Sequence, residues 1–157
     1  MDNVKLVIAD KLSDLGLNMA HKGFAYIVDA LMLIDRTKQM YIYRAVARDN
    51  DATASQVERC MRTCITSFYD DHAVVPPLFK PSAKSGSLTV GEFLRRAQQY
   101  VWRNTGMLED GTCWALFDID DINCVVRFYA DKGNYDAFKG SRPQCVVYLK
   151  NLLKGVG

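Results

Sequence analysis

At 157 residues, nearly half of them hydrophobic (49%), the chain can bury a real core as one domain, or as one domain with a small extension. A net charge of +2 excludes a global basic field, so any nucleic-acid binding has to rest on a local patch. Residues up to Asn104 hold fourteen Lys+Arg against eleven Asp+Glu, and the remainder six against seven, so the cationic excess lies in the first part. Five cysteines, an odd number with no CxxC pair, point to small core residues of a reducing, cytoplasmic compartment rather than to a disulfide or zinc framework. With no signal peptide and no apolar run of spanning length, no membrane association is expected.

Residues 3–15 place Val4, Leu6, Val7, Leu12 and Leu15 at helical spacing and stop at Gly16, a favoured C-terminal residue. Residues 19–35 give a second helix with Phe24, Ile27, Val28, Leu31 and Ile34 on one stripe. Gly23 costs this helix roughly 1 kcal/mol against alanine, which points to close packing or to a helix start beside it. His21 reads as a surface or cap residue. Met40–Asp49 is a short helix with Ile42, Ala45 and Val46 inward, and 50–53 is a turn.

The next stretch, 53–69, organises the rest. Val57, Met61, Cys64, Ile65 and Phe68 fall on one side at helical pitch, with Cys60 at the edge. Ser55, Arg59, Arg62 and Thr66 fall on the other, with Gln56 and Thr63 beside them. Ser55 and Glu58 have capping-box spacing, which predicts a start at Ser55. The short helix, turn and capped helix have helix-turn-helix spacing. In such a unit the arginine forks can meet guanine acceptors or phosphate oxygens.

Residues 70–87 carry three of the four prolines and little periodicity, and read as a loop with a turn at Leu78-Phe79. Residues 87–103 are a helix with a Thr89/Glu92 capping box and Phe93, Leu94, Ala97, Val101 and Trp102 inward. Two segments, 112–119 and 122–130, are rich in aromatic and β-branched residues and form a predicted β-hairpin around Asp120-Asp121. Residues 131–142 read as a glycine-bearing loop. Residues 143–154 read as a closing helix with proline in its first turn, with a strand over Cys145–Tyr148 as the alternative. The fold class is therefore mainly α, a helical domain over 1–104 followed by a small α+β extension over 105–157.

Residues 12 to about 103 resemble the C-terminal DNA-binding effector domain of the stage-zero sporulation response regulator. The strongest match is Thr53-Ala54-Ser55-Gln56-Val57-Glu58-Arg59-Cys60-Met61-Arg62, where the family reads T-A-S-R-V-E-R-A-I-R. Leu15-Gly16, Lys22-Gly23-Phe24-Ala25-Tyr26-Ile27 and Ala30-Leu31 match its I-G and K-G-Y-x-Y-L-x-x-A-I pattern. Tyr43, Val46 and Ala47 fit its short helix before the turn, and Leu78-Phe79 and Glu92-Phe93 its later L-F and E-F pairs.

The resemblance implies an all-helical domain of about six helices whose recognition helix enters the major groove of a short promoter box, two domains sitting in tandem on paired boxes. By position, Ser55, Glu58, Arg59 and Arg62 face double-stranded DNA. The family's arginine after the serine is Gln56 here, and its histidine after the last arginine is Thr63. Glutamine favours adenine where arginine favours guanine, so a different operator is expected. The family's receiver domain has no counterpart ahead of residue 12, so phosphorylation control is expected to be absent from this chain. Residues after about 105 also have no counterpart in the family.

For the extension, a dimer seam among Trp114, Phe117, Val126, Phe128 and Tyr129 and pairing at a hairpin edge are expected. The alternative is that these residues close the core of one subunit. Asp118, Asp120 and Asp121 have the residue type for Mg²⁺, but acidic residues at a hairpin tip are ordinary turn chemistry and no histidine, lysine or glutamate constellation accompanies them. No enzymatic activity, metal or cofactor is expected. The primary expectation is a sequence-specific, dimeric transcription regulator using Ser55, Gln56, Glu58, Arg59, Arg62 and Thr63. The alternative is a phage or mobile-element inhibitor of a host defence system, like an anti-CRISPR protein. There the helical part would autoregulate and residues 105–157 would bind a protein target.

Overall fold

The computed structural model describes residues 2–82 and 84–155. The chain divides into two compact units. One is Ile8–Tyr100, and the other combines Met1–Val7 with Val101–Gly157. Helix α1 (Asn3–Leu15) contributes to both.

The helical unit contains α2 (Lys22–Leu33), α3 (Gln39–Asp49), α4 (Ala54–Asp71) and α5 (Val90–Trp102, as far as Tyr100). Helix α1 ends as its sequence suggests. Gly16 takes φ +115°, and the Leu17 N–H returns to the Leu12 carbonyl at 3.1 Å. Both explanations offered for Gly23 hold. It is the second residue of α2, and a Cβ there would lie 2.0 Å from the Cys60 carbonyl oxygen of α4. His21 precedes α2, and its Nε2 lies 3.3 Å from the Ser67 hydroxyl of α4.

Phe68, Phe79 and Phe93 form the aromatic centre of this unit, their ring centroids 5.2 to 6.3 Å apart. Pro77–Phe79 is a single 3₁₀ turn, and the Tyr69 hydroxyl donates to the Phe79 carbonyl. The Thr89/Glu92 box is present at the head of α5, with Glu92 N donating to Thr89 Oγ1 at 3.2 Å and Thr89 N to Glu92 Oε1 at 3.2 Å. Trp102, expected inward, is instead 40% exposed at the last position of α5.

The second unit is a four-stranded antiparallel sheet in the order β1 (Thr105–Met107), β2 (Cys113–Asp118), β3 (Asn123–Ala130), β4 (Gly133–Ser141), followed by α6 (Arg142–Gly155). The expected hairpin is β2–β3. The segment expected to be loop, 131–142, is mostly β4. Gly133 at φ +126° closes a tight return after Asp131-Lys132, and eight of the nine residues of β4 then pair along β3. The closing segment is helix, which removes the strand alternative for Cys145–Tyr148. Ser141 starts it, with Gln144 N donating to Ser141 Oγ and Gln144 Oε1 accepting from Ser141 N at 2.9 Å.

Each face of the sheet carries its own core. Val7 packs with Cys113, Ala115, Phe117, Val125 and Tyr129 on one face. Leu116, Cys124, Val126 and Phe128 pack with Cys145 and Leu149 of α6 on the other, with Trp114 partly buried beside them. The residues expected as a dimer seam are therefore core residues of one subunit, because alternate side chains of a sheet covered on both faces all turn inward. Gly106 belongs to this packing as well, since the Trp114 indole lies 2.6 Å from where its Cβ would be.

The candidate nucleic-acid interface

Helix α4 is built on a closed apolar face. Val57, Met61, Cys64, Ile65 and Phe68 are all at most 2% exposed, and each large one contributes roughly 1.5–3 kcal/mol by burial. That anchors the opposite face, where Ser55, Gln56, Arg59, Arg62, Thr63 and Thr66 are exposed.

The N-cap lies two residues earlier than the Ser55/Glu58 spacing predicts. Thr53, in extended conformation, is the N-cap. Gln56 N donates to Thr53 Oγ1 at 3.1 Å, and Thr53 N donates to Gln56 Oε1 at 2.9 Å. Thr53 and Gln56 have the same spacing as Ser55 and Glu58, and the turn decides between them. Asp51 takes φ +53°, and Ala52 N returns to the Ala47 carbonyl at 3.0 Å, which brings Thr53 to the cap position. Asn50 braces the turn by donating to Asp29 Oδ2 at 2.9 Å and to the Val46 carbonyl at 2.8 Å.

The six sequence-predicted residues thus share one stretch of helix but differ in engagement. Glu58 is half-buried and pairs with Arg62 at 3.5 Å, an i,i+4 contact that orients an otherwise exposed guanidinium. Its charge, after burial, also raises the Tyr43 hydroxyl above its usual range. Thr63 donates its hydroxyl to the Arg59 carbonyl at 3.0 Å. Gln56 is held in the cap, whereas Ser55 and Arg59 lie on the open face.

Charge varies along α4. The arginines occupy its N-terminal half and Asp70 and Asp71 its end, where Ser67 donates to Asp71 at 3.2 Å. Two further cationic residues, Arg44 and Arg48, are exposed one turn apart on α3. Their spacing opposite Ile42 and Val46 was the signal that could have singled them out.

The acidic tip of the β2–β3 hairpin is engaged in its own fold. Asp120 accepts from the backbone N–H groups of Ile122 (2.8 Å) and Asn123 (2.7 Å), which hold its carboxyl below the usual range. Asp118 accepts from Arg142 Nη1 at 2.7 Å. Among the described residues no His/Cys/Asp/Glu group has the arrangement to hold a metal ion, and no helix is long and apolar enough to cross a membrane.

A helical unit that presents a capped, arginine-bearing helix on a fully buried apolar face has the form of a DNA-binding domain. Residues 8–101 match the family model described as Sporulation initiation factor Spo0A C terminal, and the chain belongs to that family, one of DNA-binding effector domains rather than of enzymes. No curated protein matches the chain.

Proposed function

We propose that this chain is a sequence-specific DNA-binding regulator in which α3, the turn at residues 50–53 and α4 act as a helix-turn-helix. The observation that carries the reading is the exposed stripe Ser55, Arg59, Arg62 and Thr63 on a helix whose other face is closed by core residues. The arginines lie toward the N-terminal end of α4, the end that meets base edges in such units. A guanidinium supplies the bidentate fork that guanine O6 and N7 accept.

Glu58 acts as the group that steers Arg62 rather than as a base reader. Gln56 departs from the role its residue type suggests. Bidentate reading of adenine needs Oε1 and Nε2 presented together to the base, whereas Oε1 is turned back toward the Thr53 N–H in the cap. Its Nε2 remains available as a single donor to a purine N7 or a phosphate. Arg44 and Arg48 on α3 suit phosphate contacts, which set position and carry much of the affinity without choosing sequence.

Selection from a random double-stranded DNA pool tests this, with the wild type and an Arg59→Ala/Arg62→Ala variant in parallel. A motif enriched by the wild type and lost in the variant is the expected result. No enrichment by a folded wild type would reject DNA reading by α4.

A further inference from the structure

We infer that β4 is a self-complementary edge through which two copies of this chain pair, antiparallel about a two-fold axis centred between Ala137 and Phe138. The strand is the last in the sheet, and among the described residues no further strand lies beyond it. It is nine residues long, against three for β1 at the opposite edge, and Gly133–Asp136 and Lys139 are exposed along it. An edge of that length presents a row of main-chain groups ready to pair with another strand.

The side chains indicate which strand fits. Val126 pairs with Phe138 and Arg127 with Asp136, so Ala137 is an extra residue on β4. Ala137 and Phe138 consequently both pack against the α6-side core. Directly paired residues share a face, so Asn134, Asp136, Lys139 and Ser141 lie on the face of Tyr129 and Val125, and Tyr135 and Gly140 on the face of Phe128 and Cys124.

A two-fold centred on the bulge then matches faces throughout. Asp136 falls opposite Lys139 of the second copy, twice over. Tyr135, 55% exposed, falls opposite Gly140, on the face where the side chains of Phe138 and Gln144 lie over that glycine and would meet the ring. Asn134 falls opposite Ser141. Edges that repel their own kind carry charges of one sign, whereas here the two charges are opposite and symmetric about the centre. Asp136 already accepts from Arg127 Nε of β3 at 2.8 Å, and its side chain, 39% exposed, keeps surface for a second cation.

The pairing is independent of DNA binding, and sedimentation of the full chain without DNA reads it directly. Lys139 is exposed, so Lys139→Glu leaves the fold intact while setting like charges opposite each other at both sites. The dimer dissociation constant should rise on the order of tenfold. In a Cys60→Ser background, Asn134→Cys with Ser141→Cys should give a covalent dimer on mild oxidation, and neither single variant should. Within one chain the two positions are roughly 23 Å apart along the strand, too far for a bridge. A wild type that stays monomeric at roughly 100 µM would overturn the inference, leaving the edge to another polypeptide or to solvent. A dimer that Lys139→Glu does not weaken and the cysteine pair does not cross-link would overturn it equally.

Discussion

Gln56 and Thr53 hold each other reciprocally at the start of α4, side chain to backbone in both directions, at 2.9 and 3.1 Å. Removing either partner breaks the same unit. Thr53→Ala and Gln56→Ala should each cost about 1 kcal/mol, and the double variant should cost clearly less than their sum. Denaturant unfolding of the three variants measures this; full additivity would show that the two bonds do not act together. Gln56→Glu keeps the reciprocal geometry and should retain wild-type stability.

Gly23 sits where α2 crosses the backbone of α4. Gly23→Ala gains roughly 1 kcal/mol in helix propensity but drives a methyl to 2.0 Å from a backbone oxygen, which cannot yield as a flexible side chain would. Separation of the helices should dominate, with a net loss toward the upper end of the ~1–3 kcal/mol of overpacked sites. A thermal melt at or above the wild-type midpoint would contradict this crossing.

Tyr69 is pushed up from 10.0 to about 12, chiefly by burial, with the Glu92 carboxylate adding to the effect. A raised pKa of this kind gives stability that is fully present below pH 10 and is lost as pH rises through about 12, because the unfolded chain gives up the proton first. Stability should therefore fall between those values. Tyr69→Phe should lower stability at neutral pH, through loss of the bond to the Phe79 carbonyl, and flatten the alkaline decline. Urea titrations at pH 9 and pH 11.5 separate the two effects.

The apolar face of α4 was legible because a period of 3.6 survives wherever one side of a helix is fully buried, as Val57, Met61, Ile65 and Phe68 are. The cap was ambiguous because Thr53/Gln56 and Ser55/Glu58 have identical spacing, and the deciding fact, the left-handed Asp51, belongs to the turn. Strand β4 was not legible for a related reason. Its alternation is broken where Ala137 and Phe138 face the same side, and its glycines resemble loop composition. Strand β1 is three residues long, too short for any periodicity, and its signal is the missing side chain of Gly106 beneath Trp114. The open face of α4 was read correctly as a surface. That Gln56 and Thr63 spend hydrogen bonds on their own helix could not be read from residue type.

All five cysteines are free thiols, and four of them, Cys64, Cys113, Cys124 and Cys145, are buried. Burial pushes the Cys64 and Cys124 thiols up to about 11, further from the reactive thiolate. A thiol reagent at pH 8 should label Cys60 alone at a fast rate in the native protein and all five in denaturant. Rapid native labelling of Cys124 or Cys145 would show that the packing of α6 on the sheet opens readily.

The central claim is that α4 reads DNA through its arginines, and the most direct measurement is the affinity of Arg59→Ala and Arg62→Ala for the wild type's selected site, at fixed salt. Each should lose on the order of 1–3 kcal/mol on that site and relax the base preference at its own position, with much less change on unrelated DNA. Affinity and sequence preference unchanged in both folded variants would contradict the assignment of α4 as the reading helix.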